Sequence, residues 1–480
     1  MSDRRPTAVI VLAAGEGTRM KSTTPKVLHT IGGRSLVGHA LRAARGVDPL
    51  HLAVVVRHER DRVAAHIAEH DEDALIVDQD EIKGTGRAVE CALESLPGEL
   101  TGTVLVTYGD VPLLTSETLT RLCDVHDGSA DAVTMITATL DDPTGYGRIV
   151  RGPDGAVAAI VEQKDASEEQ RAIHEVNSGI YAFDLEFLRG ALAEVSTDNA
   201  QGEKYLTDVV GISTRRGLGV HAHLIEDLWQ TEGVNDKVQL ARLGAELNRR
   251  TVEQAMREGA IVIDPATTWI DADVTIGPDT VIHPGTQIHG ASTIGAECVI
   301  GPDTTLKDVE VGDEARVVRT HAELAVIAAG ATVGPYSYLR PGSNLGARGK
   351  IGAFVETKNA TIGAGAKVPH LTYCGDATIG AGANIGAGTI FANYDGVTKG
   401  HTNIGPGTFV GSNSVIVAPR TIGDGAYVAA GSAVVSDVEP GQLAVTRAQQ
   451  RNIDGWVARR FAGTKMADAA RAATETKGDE

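Results

Sequence analysis

The stretch TIGPDTVIHPGTQIHGASTIGAECVIGPDTTL, residues 275–306, decides the fold of the C-terminal half. Ile276, Ile282, Ile288, Ile294, Ile300 and Leu306 recur every six residues without a gap. Such a run arises by chance roughly once in a thousand if a quarter of residues are aliphatic. The register returns at Ile327, Val333, Leu339, Leu345 and Ile351, and again at Ile404, Val410, Ile416, Ile422, Val428 and Val434. An aliphatic-Gly pair occurs 13 times between Ile276 and Gly423. This is a hexapeptide repeat, in which each rung of a parallel β-helix is a short strand and a turn. A Gly-rich linker would hold no aliphatic register. The repeat accounts for 56 glycines in 480 residues, against roughly 34 at average usage, and for an aromatic content of only 4%.

The register breaks mark candidate sites. Phe391 and Ile404 are thirteen apart, and ANYDGVTKG (392–400) reads as a loop projecting from the solenoid. Val368 and Ile379 are eleven apart around Pro369-His370-Leu371-Thr372-Tyr373-Cys374-Gly375-Asp376. A lone histidine is more often structural than a base, but Arg340, Lys358 and Lys399 all fall near these breaks. With Tyr373 they are candidates to gather around a phosphate.

Working toward the N-terminus, GVNDKVQLARLGAELNRRTVEQAMREG predicts a connecting helix over 234–259, with Val238, Leu240, Leu243, Leu247 and Val252 near one face. Before it, Ala8–Ala14, Leu52–Val56, Val104–Gly109 and Ala132–Leu140 read as strands alternating with helices at Leu36–Arg45 and Asp61–His70, an open, mostly parallel α/β sheet. The domains expected are 1–233, the helix 234–259, a β-helix over 260–456 and a disordered Ala-rich tail over 457–480.

The first strand runs into Gly15-Glu16-Gly17-Thr18-Arg19-Met20, followed by Pro25-Lys26. Met20 spoils a Rossmann fingerprint, and no Gly-Lys-Ser/Thr follows for a Walker loop. Two glycines and two cations still suit a triphosphate, with an ordinary strand-to-helix turn as the other reading. The formal net charge of -19 argues against a general nucleic-acid or anionic-membrane surface. Cys91, Cys123, Cys298 and Cys374 form no metal-ligand spacing or disulfide framework. The apolar run near the N-terminus is too short for a signal peptide, so a cytoplasmic location is expected.

The segment Leu12-Ala13-Ala14-Gly15-x-Gly17-Thr18-Arg19-Met20-x4-Pro25-Lys26 resembles the signature of sugar-1-phosphate nucleotidyltransferases. The resemblance implies uracil contacts at Gln79, Gly84 and Thr85, and triphosphate contacts at Arg19 and Lys26. It implies nucleotide contacts at Tyr108 and Gly109, and sugar contacts at Gly147, Glu162 and Asn177 within and beyond Gly145-Tyr146-Gly147-Arg148. Asp110 and Asn235 match its Mg2+ positions, suitable because Mg2+ prefers hard oxygen ligands. Glu16 stands where many relatives carry a less acidic residue.

The later segments LRPGSNLG, GAFVETKN, PHLTYCGDATIG and NIGAGTIFANYDG, with Ala444-Val445-Thr446-Arg447, resemble in order the acetyltransferase half of the bacterial bifunctional N-acetylglucosamine-1-phosphate uridyltransferase/glucosamine-1-phosphate N-acetyltransferase family. The likeness covers about 7–456. It implies a homotrimer of left-handed β-helices using acetyl-CoA and UTP to convert glucosamine 1-phosphate, through N-acetylglucosamine 1-phosphate, into UDP-N-acetylglucosamine for cell-envelope glycans such as peptidoglycan. His370 would be the general base, with Glu356 orienting the site. Arg340, Lys358, Tyr373, Asn384 and Lys399 would bind the sugar phosphate. Asn384, a further catalytic candidate, would with Asn393 and Tyr394 position sugar and acetyl group, and Ala387, Asn393, Tyr394, Ser412, Ala430 and Arg447 would contact acetyl-CoA. Cys374 has no argued role. Two alternatives remain: a monofunctional nucleotidyltransferase with a scaffolding β-helix, and a non-catalytic assembly subunit of the kind found among translation initiation factors.

Overall fold

The computed structural model describes residues 5–476, with side chains to 474. The first four and last four residues, which end the expected first domain and tail, lie outside the described residues. The chain divides into two compact units, 1–310 and 311–480.

In the first unit, Ala8–Leu12 is flanked in parallel by His51–Val56 and Thr103–Tyr108, and Leu75–Asp78 extends the sheet beyond His51–Val56. Glu175–Asp184 inserts antiparallel between Thr103–Tyr108 and Asp131–Thr139, and Gly219–Leu224 closes the far edge in parallel. The sheet is therefore mixed but mostly parallel, as expected. Ala8, Val9, Ile10 and Val11 are fully buried. A parallel strand covered by helices on both faces reads as an uninterrupted apolar run for that reason.

The helix Lys237–Arg257 starts where Asp236 accepts hydrogen bonds from the N–H groups of Val238 and Gln239, both at 2.9 Å. Leu243 and Val252 are buried, but Val238 is 70% exposed and does not belong to the packed face. The buried side chain of Asn248 donates to the Thr268 carbonyl at 2.8 Å and accepts from the Ile270 N–H at 2.9 Å, fastening the helix to the first rung. The Ala272 N–H donates to Gly32 O at 2.9 Å, and Arg34 and Arg42 both pair with Asp273. These contacts explain the one departure in domain division. The architecture changes at Ile261, but the early rungs cluster with the α/β domain and not with the rest of the solenoid.

The rungs form a parallel β-helix, left-handed as expected of a hexapeptide repeat. In the first unit Val281-Ile282 pairs in register with Val299-Ile300. In the second, Asn384-Ile385 pairs with Phe409-Val410, and that with Tyr427-Val428. Every interior register residue among Ile282, Ile288, Ile300, Val410, Ile416 and Ile422 is fully buried. Cys374 occupies one of these inward positions, opposite Thr357 in the register and fully buried, so it fills the core. All four cysteines are buried, and none forms a disulfide.

The tail differs from expectation. Trp456–Arg460 and Lys465–Thr476 are helical, because the alanine-rich composition that deprives the segment of a core also gives it high helix propensity. Among the described residues no helix is long and apolar enough to cross a membrane.

Truncating an interior rung residue leaves a cavity that the stacked strands above and below hold open. We expect Ile300→Ala to lower stability by about 2–5 kcal/mol, read as a shift of the first unfolding transition in urea.

Candidate functional sites

In the parallel sheet, Leu12 lies opposite both Val55 and Tyr108. The Ala13 N–H donates to Val55 O at 2.8 Å, and the Gly109 N–H donates to Leu12 O at 2.9 Å. The phosphate-loop candidate thus leaves the sheet beside Gly109 and Asp110, at the carboxyl ends of the strands where open α/β sheets bind ligands. A cleft of about 410 Å³ lies there, lined by Leu12, Ala13, Ala14, Gly15, Lys26, Gln79, Gly84, Thr85, Tyr108 and Asp110 of the expected set.

Gly15 has open space where a Cβ would stand, so no packing demands glycine there. Gly84 is the opposite case. It has φ +114°, and a Cβ would meet Lys204 O at 2.3 Å. The Gln79 side-chain amide donates to the carbonyls of Ile82 (3.0 Å) and Gly84 (3.1 Å), and Thr85 Oγ1 accepts from the Leu206 N–H at 3.2 Å, so this rim of the cleft is rigid.

Two pairs join residues far apart in sequence. Lys26 pairs with the Asp110 carboxylate, both side chains largely buried. Arg19 Nη2 donates to Asn235 Oδ1 at 2.8 Å, while the Asn235 N–H is held by Gln239 Oε1 at 2.7 Å and the Val234 N–H by Asp110 O at 2.9 Å. Asp110 and Asn235 therefore belong to one constellation. A carboxylate and an amide carbonyl are hard oxygen donors, and the set fits Mg2+.

The expected sugar residues form a neighbouring cluster. The Asn177 N–H donates to Gly147 O at 2.9 Å, and Arg148 pairs with both Val176 and Val161, which brings Glu162 alongside. Burial raises the Glu162 carboxyl above its ordinary value, against a 3.3 Å hydrogen bond from the Thr207 hydroxyl. Burial also raises the Tyr108 phenol, with the Glu162 and Asp110 charges acting in the same sense. Sequence reasoning missed Arg57, Lys83 and Glu203 at the cleft wall. Glu16, the one unusual acid in the loop, faces Lys83 Nζ at 3.7 Å.

In the second unit, one corner of the solenoid forms a ladder. The Leu371 N–H donates to Ala353 O (3.0 Å), Gly388 N–H to His370 O (3.2 Å), Asn413 N–H to Ala387 O (2.7 Å) and Gly431 N–H to Ser412 O (2.8 Å). Arg447 Nη1 ends it on Ala430 O at 2.7 Å. His370, Ala387, Ser412, Ala430 and Arg447 thus line one edge over successive rungs, about 4.8 Å apart.

Beside it, Arg340 Nη1 donates to Glu356 Oε1 at 3.0 Å, and Glu356 pairs in register with Tyr373. The Lys358 ammonium is held below its usual value, chiefly by the Lys399 ammonium next to it and further by Arg340. Like charges converging on solvent form a ready anion site. Asp376 is the group missed here. Burial by itself would raise its carboxyl, but the Asn359 and Asn393 amides, then Lys358 and Lys399, hold it below the usual value. Its only signal in the sequence was an acid closing the eleven-residue break. Asn393 also donates to Tyr373 Oη at 3.4 Å, and Tyr394 bridges Lys399, so both belong to this cluster and not to the ladder. Asn384 lies opposite Lys367 in the register, which sets it about 10 Å along the strand from His370. Within one chain these two do not meet. Cys374 is inert by burial, its thiol pushed up to about 12.

Residues 9–175 match the MobA-like NTP transferase domain family, and residues 273–308 match the bacterial transferase hexapeptide (six repeats) family. The chain is 60% identical over 470 residues to the protein of Pseudarthrobacter chlorophenolicus named Bifunctional protein GlmU, covering 98% of this chain and 96% of that one. Proteins of the same name are 57% identical in Kineococcus radiotolerans, over 98% of this chain and 96% of the relative, and 58% identical in Mycolicibacterium vanbaalenii, over 96% and 95%.

Removing one of two repelling ammonium groups relieves the other. We expect Lys399→Ala to raise the Lys358 pKa toward its ordinary value, read by NMR titration of labelled lysine side chains.

Proposed function

This chain belongs to the family of bifunctional GlmU proteins, and from that premise we propose how its two activities divide between the sites. It is an enzyme of UDP-N-acetylglucosamine synthesis: glucosamine 1-phosphate is acetylated by acetyl-CoA, and the N-acetylglucosamine 1-phosphate formed takes UMP from UTP with release of pyrophosphate. The observation that carries the reading is the meeting of Lys26 with Asp110 in a strand-end cleft and of Arg19 with Asn235 next to it, where the Val234 N–H bonds Asp110 O; the partners are 84 and 216 positions apart.

In uridylyl transfer a phosphate oxygen of the sugar attacks the α-phosphorus, and the bond to pyrophosphate breaks. No protein nucleophile is needed, so the residues position anions and balance charge. Leu12, Ala13, Ala14 and Gly15 offer backbone to the nucleotide, Gln79, Gly84 and Thr85 hold the uracil, and Tyr108 and Gly109 form the cleft floor. Gly147, Glu162 and Asn177 hold the sugar. Lys26 and Arg19, now spent on Asp110 and Asn235, turn to the triphosphate. Asp110 and Asn235 would hold Mg2+, which when bound neutralises phosphate charge.

In acetyl transfer His370 takes a proton from the 2-amino group. The freed lone pair attacks the thioester carbonyl, a C–N bond forms, and the C–S bond to coenzyme A breaks. Arg340, Lys358, Tyr373 and Lys399 bind the phosphate, Glu356 orients Arg340, and the ladder of Ala387, Ser412, Ala430 and Arg447 receives acetyl-CoA, with a backbone N–H near Ser412 for the oxyanion.

A homotrimer is supported by two observations. Tyr336 and Phe354 stack at 5.3 Å and, with Leu371 next to His370, leave an apolar ridge 56–61% exposed. The separation of Asn384 from His370 within one chain also suits a site completed by a second copy. A cytoplasmic location accords with the substrates and the acidic surface.

Mass spectrometry of products from glucosamine 1-phosphate, acetyl-CoA, UTP and Mg2+, each omitted in turn, tests the whole scheme. Asp110→Ala is expected to abolish uridylyl transfer and spare acetylation, and His370→Ala to cut acetylation by about 10²–10⁴-fold while sparing uridylyl transfer. Loss of both activities in either folded variant contradicts independent sites. Acetylation failing in the wild-type protein favours the scaffold reading of the β-helix. Gly15→Ala, filling only open space, is expected to leave stability within about 0.5 kcal/mol yet raise KM for UTP about tenfold or more.

A further inference from the structure

The helix Arg60–His70 buries Val63, Ala64 and Ile67 and carries His66, Glu69 and His70 on another side. Positions i, i+3 and i+4 are neighbours on a helix surface. One donor atom from each of the three lies within 4.8 Å of the others, and the two imidazole centroids are 4.2 Å apart. None of these residues touches the nucleotide cleft described above.

The second observation is the way the rings are held. His70 Nδ1 is 2.9 Å from the His66 carbonyl oxygen. A carbonyl only accepts, so Nδ1 carries the proton and Nε2 presents its lone pair. His66 Nε2 lies 2.7 Å from Ser35 Oγ, the group that caps helix Leu36–Arg45 by accepting from the Gly38 N–H at 3.0 Å. A hydroxyl oxygen has two lone pairs, so Ser35 can accept from His66 as well, which frees Nδ1 of that ring. Each imidazole thus has one nitrogen committed to an outer partner and the other available, the arrangement that orients metal-binding histidines.

We propose that His66, Glu69 and His70 form a binding site for one divalent transition-metal ion of the zinc class, separate from the Mg2+ oxygens Asp110 and Asn235. Two imidazoles and one carboxylate leave a fourth, tetrahedral position for water. Imidazole nitrogen selects zinc, nickel or copper, whereas Mg2+ takes oxygen donors. The ion would tie the helix end to the Ser35 cap. The same helix reaches the segment before Pro25-Lys26, where Arg62 Nη1 donates to Thr23 O at 2.8 Å, so occupancy stiffens the support of the triphosphate loop.

The test is calorimetric titration of the full chain with zinc chloride in excess Mg2+, which saturates the oxygen sites. One zinc per chain is expected, with affinity falling about tenfold or more in both His70→Ala and Glu69→Gln. Neither side chain supports the core, so both variants should melt like wild type without zinc, and zinc should raise the melting temperature of wild type alone. Binding no tighter than millimolar, or an affinity unchanged in either variant, overturns the proposal.

Discussion

Parallel strands pair residue against residue, and that register carries the chemistry of both halves. Leu12 opposite Tyr108 delivers the 13–19 loop to Asp110. Ala353 opposite His370, with Gly388 bonded back to His370, delivers one rung's histidine to the next rung's Ala387. A slip by one residue would turn each of these side chains to the other face of its sheet. The apolar residues that hold the register, such as Ile10 and Ile416, are wholly buried, so the cost of slipping is the exposure of a core.

Electrostatics then separates the two sites by kind. The protein is strongly acidic, yet each site gathers cations. In the α/β domain Lys26 is balanced at rest by Asp110, and Arg19 is hydrogen-bonded to the neutral amide of Asn235. In the β-helix Lys358 and Lys399 face each other, with Asp376 as local counter-charge. In the proposed reactions the first arrangement exchanges partners when phosphates arrive, and the second gains by having its repulsion relieved. Both favour phosphorylated ligands within a surface that repels polyanions.

The early rungs and the 237–257 helix connect these themes. Asp236 caps the helix, the preceding Asn235 lies by Arg19, and twelve residues beyond Asp236 the buried Asn248 fixes the first rung. One helix therefore positions the proposed Mg2+ ligand Asn235 just before its start and the beginning of the solenoid along its length. This is why the first rungs form a unit with the α/β domain.

Periodicity determined the β-helix without help from the structure, because six-residue spacing of Ile and Val has one efficient way to be buried. The strand-to-loop run from Ala8 to Lys26 suited a phosphate loop by its glycines and cations but left an ordinary turn open, and only its resemblance to the nucleotidyltransferase signature singled it out. Local signals did not extend to groups whose role depends on distant partners. Asp376 became central only when the 359 and 393 amides closed on it, and Asn384 lay apart from His370 because one chain's rungs set them at different positions along the strand. Val238 fitted a helical stripe by spacing, but the first rung covers a different face. The tail's alanines both deprive it of a core and favour helix, and composition alone does not separate the two effects. In the sequence His66, Glu69 and His70 resemble any solvated helix face. Only the folded backbone, which turns one imidazole onto a carbonyl and the other onto Ser35, sets a donor atom of each residue within reach of the others.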